Sequence, residues 1–441
     1  MGIRSVLIGI LTAVVCIGEA RPARADRLCD PAGEDCRAIL LNLIKNERVG
    51  IDVAFWFMED ARYSAEIIRS AQAGVPVRVI FDPSANAGHP VNAQIVEQLR
   101  ALGLHPSSLP LGIRDGCVMC RTCNSFACKL HAKSEADVCC VRPALRHDNV
   151  RLWRHTKARR LLTDAGGRRV TGVELEREDG VVTVEAPVVV VACGAVNSAA
   201  LLLRSATDRH PDGLANSSGL VGRRYMAHLA TMMQGFHPGR PNPTDFQKTV
   251  AINDFYLKGP RTAYPLGQIQ SQGRTHAIMA KVVGDTWRYK FIEWRHIPQW
   301  AYAAWMTRAI DWLAMTEDLP RVDNRVTLDG NGDIRLVYQP NNLRAHDQLV
   351  TEAKRMLRKL GFWMVMTHSH KSKNTTHQCG TLVFGTDPRE SVLDTYCRAH
   401  DVENLFVVDA SFFPSSAAVN PGLTIVAQAL RAADHIRSTD L

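Results

Sequence analysis

An α/β chain is predicted by three stretches of this sequence. Val188-Val-Val-Val-Ala-Cys-Gly-Ala-Val-Asn-Ser-Ala-Ala-Leu-Leu-Leu reads as a buried strand of the parallel type, a glycine turn and a helix. Leu405-Phe-Val-Val reads as a second such strand; turn-forming residues carry the chain to Asn420, and apolar residues then recur at Leu423, Val426, Leu430, Ala433 and Ile436 with helical spacing. Residues 50 to 102 alternate strand, helix, strand, helix on their own.

A chain of 441 residues accommodates two or three domains. The net charge of +9 is spread, with lysines and arginines interleaved among acids and no long basic run, so neither nucleic acid nor an anionic membrane is implied as a partner. Residues 1–25 carry Arg4, an apolar run from Val6 to Ile17 and Ala23-Arg24-Ala25, the pattern of a secretory signal peptide that would leave Asp26 first and the protein exported. The rival for that run is a buried or anchoring helix. After its removal no segment is apolar enough to span a bilayer. Export would let Cys29 and Cys36 pair, whereas the crowding of cysteines between Cys117 and Cys140 is unlike a spread disulfide framework.

In residues 26–105, Gly50 to Met58 and Val75 to Asp82 are strands, with helices from Ala61 to Gln72 and from Asn92 to Leu102. Asp82 stands where a dinucleotide fold places its ribose-binding acid. Met58-Glu-Asp-Ala-Arg, however, offers no glycine turn through which backbone amides could reach a pyrophosphate, so Asp82 reads as a turn residue. Ile51-Asp-Val-Ala-Phe-Trp-Phe-Met-Glu-Asp and Gly74-Val-Pro-Val-Arg-Val-Ile-Phe-Asp-Pro resemble the opening βαβα of a phospholipase D-like domain. Of that family's catalytic pattern only His131 and Lys133 fit; Asp137 falls one residue early, and the near-match is read as chance.

Residues 106–230 open with Cys117, Cys120, Cys123 and Cys128, whose rhythm resembles an iron-sulfur loop with its last gap one residue too long, so small buried thiols are preferred to iron-sulfur or zinc. Short strands from Asn149 to Pro187, with a turn at Gly166-Gly167, make a β-meander ahead of the Val188 strand. Gly219-Leu-Val-Gly-Arg and Met226-Ala-His228 follow, with His228 read as structural. Within 231–370 the sequence predicts a helix over Gln299–Met315, a hairpin around Asp329-Gly-Asn-Gly332 and an amphipathic helix over His346–Leu360. His368, His370, His377 and Cys379 match no common metal spacing, so no metal is expected. In 371–441, Asn420 suits the N-cap and Pro421 the first position of the last helix. That end of a helix favours negative charge.

His377-Gln-Cys-Gly-Thr, Asp387-Pro-Arg-Glu-Ser-Val-Leu-Asp, Val407-Val-Asp-Ala-Ser-Phe-Phe-Pro-Ser-Ser and Val419-Asn-Pro-Gly-Leu-Thr-Ile, in this order, resemble the closing signature of the glucose-methanol-choline (GMC) family of flavin-dependent alcohol oxidoreductases. The resemblance extends over roughly residues 110–438. It implies a GMC-type FAD-binding fold, a sheet of antiparallel strands over the flavin as substrate domain, and a small alcohol or sugar-like substrate; it names no electron acceptor. It places a catalytic base at His377 and a hydrogen-bond partner for the alkoxide at Asn420. Gly194 and Ala195 would approach the adenosine half of FAD, Asp409 and Ala410 its pyrophosphate side, and Pro421 to Thr424 would border the ring. The family's opening Gly-x-Gly-x-x-Gly is found nowhere in the sequence. The expectation is therefore an incomplete GMC fold behind a phospholipase D-like fragment, with loss of FAD binding and activity as the consequence to be tested. A non-catalytic or phospholipase D-like exported protein and a cysteine-cluster electron-transfer module are the alternatives.

Overall fold

The structure is a computed structural model in which residues 5–9, 13–17, 35–48, 50–55, 61–80, 90–109, 111–114, 116–118, 127–242, 248–273, 298–369 and 376–441 are described. Residues 23–25, Cys29, Asp82, Cys120, Cys123 and His370, all singled out above, lie outside that set.

Strands β1 (Ser5–Gly9) and β2 (Ala13–Ile17) form an antiparallel pair that continues onto β3 (Ile51–Phe55). The described parts of the apolar run expected in a leader, residues 5–9 and 13–17, are strands here. Helix α1 (Cys36–Asn46) precedes β3, and α2 (Ala61–Gln72) links it to β4 (Val77–Ile80), its parallel neighbour. Ile44, Ile51, Tyr63, Ile67 and Val75 make a small core of their own. Helix α3 (Pro90–Ala101) and β5 (Pro106–Ser108) leave this unit: β5 pairs with a strand of the central sheet and Leu99 is buried in that sheet's core.

The expected meander is β6 (Lys157–Thr163), β7 (Val170–Arg177) and β8 (Gly180–Val184), antiparallel throughout. Strand β9 (Val189–Val191) then turns at Gly194 into α4 (Ala195–Arg204).

A six-stranded antiparallel sheet follows from β10 (Leu229–Phe236), β11 (Val250–Ile252), β12 (Gln268–Gly273) and, after α5 (Gln299–Met306), β13 (Ala309–Thr316). The single helix expected over Gln299–Met315 is therefore half helix and half strand. Strand β13 lies between β10 and β12 and is buried on both faces. Apart from Asp311 and Thr316 this strand is an apolar run, which periodicity alone does not separate from a buried helix.

The hairpin β14 (Arg325–Leu328) and β15 (Ile334–Val337) has the predicted turn. Helix α6 (Leu343–Lys359) buries Ala345, His346, Leu349, Ala353, Met356 and Leu357, one face of a 3.6-residue repeat, against the central sheet. Burying Leu349 or Leu357 contributes about 2 kcal/mol each relative to exposure. Strand β16 (Met364–Ser369) closes the sheet in the order β16-β10-β13-β12-β11-β5.

Strand β17 (Leu405–Val407) pairs in parallel with β9, Leu405 opposite Val189 and Val407 opposite Val191, and α7 (Gly422–Thr439) ends the chain. The last helix forms as predicted, but its apolar repeat is only partly buried. Gln428, Ala432 and Ile436 are buried, whereas Leu423 and Leu430 are 61% and 63% exposed.

Candidate functional site

The site is assembled where β9 and β17 end side by side. Parallel strands deliver their following loops to one edge of the sheet, the edge at which open α/β folds hold ligands. Gly194 adopts φ +85°, a conformation that side chains rarely tolerate, and no atom lies within 4 Å of the position a Cβ would take. Asp409 follows β17 and its carboxylate joins the two loops. Oδ2 accepts from the Gly194 amide at 2.9 Å and from the Ser198 hydroxyl, while Oδ1 accepts from the Ser411 amide at 2.8 Å. Behind them Thr381 Oγ1 donates to the Ala195 carbonyl at 2.6 Å, and the Gly380 amide donates to the Ala410 carbonyl at 3.1 Å. Gly194, Ala195, Asp409 and Ala410, chosen from the sequence, are thus brought together.

A pair of imidazoles stands on the same scaffold. Met226 and Cys379 exchange both backbone hydrogen bonds, each at 2.9 Å, and this bridge sets His228 beside His377. The two Nδ1 atoms are 2.9 Å apart, and His228 Nε2 is 2.8 Å from the Ser416 carbonyl. A carbonyl only accepts, so His228 carries its proton on Nε2. Burial holds His228 below its usual pKa, so its ring is neutral and its Nδ1 is left as the acceptor. His377 must then donate from Nδ1, which leaves the lone pair on His377 Nε2. Burial, followed by the neighbouring His228 and Lys248, pushes the pKa of His377 down to about 4. Its ring is neutral at physiological pH, with a lone pair able to take a proton, and burial makes it a weaker base than a free imidazole.

His228, read as structural from the sequence, therefore belongs to the site. The block Met226-Ala-His228 was the available signal, but burial at 2% exposure and contact with His377 are tertiary facts.

The loop leading to Asn420 is pinned from the other side. Ser416 Oγ accepts from the Asp318 amide at 3.0 Å and donates to the Asp318 carbonyl at 2.9 Å, while Ser415 Oγ donates to Glu317. His228 links this loop to His377. Asn420 itself is exposed, and its side chain makes no hydrogen bond among the described residues. The helix begins at Gly422 with Pro421 at the cap position and no side-chain cap, so Asn420 is not the N-cap that the sequence implied. Pro421 and Thr424 are half-buried.

Below the pair, Asp318 is fully buried and its carboxyl is pushed up to about 6 by that burial. Among the described residues no group of His, Cys, Asp and Glu is arranged to hold a metal, and Cys117 and Cys128 are free thiols. A separate cavity of about 590 Å³ is lined by Arg168, His210, Asp401 and Glu403. In it Arg168 pairs with Glu403 at 2.8 Å and Asp401 accepts from Ser217 at 2.6 Å.

Two family models, both described as GMC oxidoreductase, match residues 52–230 and 320–429. The segment read as phospholipase D-like falls largely inside the first match, so that reading is replaced: from residue 52 onward the resemblance is to GMC oxidoreductases. Curated relatives include 6'''-hydroxyparomomycin C oxidase of Streptomyces lividus, 32% identical over 77% of this chain and 62% of that protein. Paromamine 6'-oxidase of Streptomyces fradiae is 30% identical over 79% and 66%, and 2-methyl-1,2-propanediol dehydrogenase of Mycolicibacterium austroafricanum is 29% identical over 57% and 48%. The chain thus spans less than two thirds of the length of these relatives. Pyridoxine 4-oxidase from Mesorbium loti superposes with a TM-score of 0.57 at 18% identity, covering 83% of this chain and 74% of that one, a likeness of fold. Members of the family bind FAD. With both of its family models matched in order along the sequence, the chain belongs to the GMC oxidoreductase family.

Proposed function

We propose that the chain oxidises the CH–OH group of a small alcohol or sugar-like molecule, with FAD as the hydride acceptor. The observation that carries this reading is the fixed tautomer of His377. Its Nε2 has no partner among the described residues and is free to take the hydroxyl proton as the adjacent carbon loses hydride. Asn420, four residues beyond the carbonyl that orients His228, is assigned to hydrogen-bond the developing alkoxide. The first turn of α7, from Pro421 to Thr424, would border the ring with the positive end of the helix.

The residues present fit the cofactor in part. Gly194 leaves open space beside its backbone, and the Asp409 clasp holds Gly194, Ala195 and Ala410 in one place, as contacts along the dinucleotide require. For the pyrophosphate, the sequence carries no Gly-x-Gly-x-x-Gly turn, and the donors assigned to the phosphates are the loops after β9 and β17. The substrate class follows the relatives, which are named for aminosugar and diol oxidation.

Incubation of the purified chain with FAD, removal of unbound flavin and anaerobic addition of small polyols and aminosugars test the proposal. Retained flavin absorbance that bleaches with substrate is expected, and the bleaching is lost in His377→Ala. A protein that retains no flavin, or whose bleaching is unchanged in His377→Ala, overturns it.

A further inference from the structure

One end of the central sheet carries exposed indole rings set among unpaired cations. At the end of β10, Phe236 lies between Met364, which opens β16, and Ala309, which opens β13. The Trp363 amide donates to the Phe236 carbonyl at 3.0 Å, and the Trp363 ring lies 6.0 Å from that of His237. On the other side the Trp305 ring of α5 stacks on Phe236 at 4.0 Å. Trp300 is five residues earlier on that helix, about 7.5 Å along its axis. Trp300 is 74% exposed, Trp363 78% and Met364 44%. A soluble surface rarely leaves two tryptophans this bare without a use for them.

Among the described residues, four exposed cations stand near them. Arg308 donates from Nε to the Pro238 carbonyl at 3.0 Å, and the Arg240 guanidinium passes 3.8 Å from the Cβ position of Gly361. Arg358 and Lys359 end α6 immediately before Gly361, the turn that leads to Trp363. All four side chains are exposed and none is paired with a carboxylate, whereas Arg355, one turn earlier, is held by Glu352 at 3.2 Å. In the sequence these cations stand at 240, 308, 358 and 359 and form no basic run. The three strand ends collect them.

We propose that this end of the sheet docks the protein onto an anionic phospholipid surface, with Trp300 and Trp363 entering the headgroup layer and the four cations facing lipid phosphates. Indole rings favour the depth at which their apolar body is covered and their N–H stays wet. Clustered cations near a membrane are drawn to an anionic leaflet over about a Debye length. No described helix is long and apolar enough to cross a membrane, and the contact proposed is a peripheral one. Charge selects this occupant over a second copy of the chain, because two such faces would bring eight like charges together.

Co-sedimentation of the purified chain with phosphatidylcholine vesicles, with and without phosphatidylglycerol, tests this. The expected result is binding to the mixed vesicles at low ionic strength, release by added salt, and a blue shift of tryptophan emission on binding. Trp300→Ala/Trp363→Ala and, separately, Arg240→Glu/Lys359→Glu are each expected to weaken binding at least tenfold. Both indoles are about three-quarters exposed, so circular dichroism should be unchanged in the first double variant. No sedimentation with mixed vesicles overturns the proposal, as does equal binding to neutral ones, or wild-type binding by either variant. Concentration-dependent dimers that dissociate in Trp300→Ala/Trp363→Ala would assign the face to a second copy instead and equally overturn it.

Discussion

His377 meets His228 nitrogen to nitrogen, Nδ1 to Nδ1 at 2.9 Å with the rings near perpendicular. Because the far nitrogen of His228 is committed to the Ser416 carbonyl, one proton arrangement satisfies the pair, and it leaves His377 Nε2 as the base. His228 is buried and holds His377 Nδ1 on one side and the Ser416 carbonyl on the other, so it acts as a positioning residue.

His228→Ala removes the acceptor that fixes the tautomer and leaves the Ser416 carbonyl unpaired. Substrate-dependent flavin bleaching should slow about 100-fold, the lower range for loss of a positioned acid or base. Nitrogen NMR of the His377 ring should then show both neutral tautomers. A single Nδ1-protonated form persisting in the variant would argue against the relay.

The pH dependence has a definite sign. His377 titrates near pH 4 when folded and near its usual value of 6.5 when unfolded. Between those values the unfolded chain binds the extra proton, so this group's contribution lowers stability as pH falls from 6.5 to 4. The bleaching rate should likewise stay level down to about pH 5 and fall through pH 4. Comparing unfolding midpoints of wild type and His377→Gln from pH 7 to pH 4 checks the first statement, since the variant should lose part of the acid slope.

Asp318 runs the other way. Its carboxyl is raised from 3.8 to about 6 by burial, so the folded state binds more protons between those values and loses stability as pH rises through them. A shift of about two units corresponds to roughly 3 kcal/mol. Asp318→Asn keeps an oxygen for the Asn341 amide, which now donates to Asp318 Oδ1 at 3.2 Å. The variant should be more stable than wild type at pH 7 by up to about that amount, with the difference vanishing below pH 4. Urea denaturation at the two pH values measures it.

Two glycines should separate strain from ligand contact. Gly380 has φ +79°, and a Cβ there would lie 2.1 Å from the Arg224 carbonyl oxygen, so Gly380→Ala forces the backbone apart beneath the histidine pair. A loss of about 3–4 kcal/mol is expected from strain and overpacking together. Gly194→Ala meets no atom within 4 Å and carries the backbone cost alone, about 1–3 kcal/mol, yet it should reduce flavin retention more than Gly380→Ala does in folded protein. Retention measured below the melting temperature of both variants decides it.

Much of the fold was legible where one period dominates. The strand, glycine turn and helix at Val189–Arg204, the hairpin at Arg325–Val337 and the amphipathic α6 follow from spacing and turn chemistry. The helix expected through Met315 failed because a central strand and a buried helix are alike as apolar runs. In α7, Leu423, Val426 and Leu430 mark a period, but only packing decides which side of it is covered, and Leu423 and Leu430 are exposed.

By itself the sequence determined the family, the strand–loop–helix at the C-terminus and the candidacy of His377, because short blocks in fixed order survive as local chemistry. Tertiary structure alone placed His228 against His377 across 149 residues, gave the pair its proton arrangement, and drew four scattered cations to one end of the central sheet. Hydrogen bonds and fields depend on distance in space, and a linear sequence carries that distance only where the partners are near neighbours.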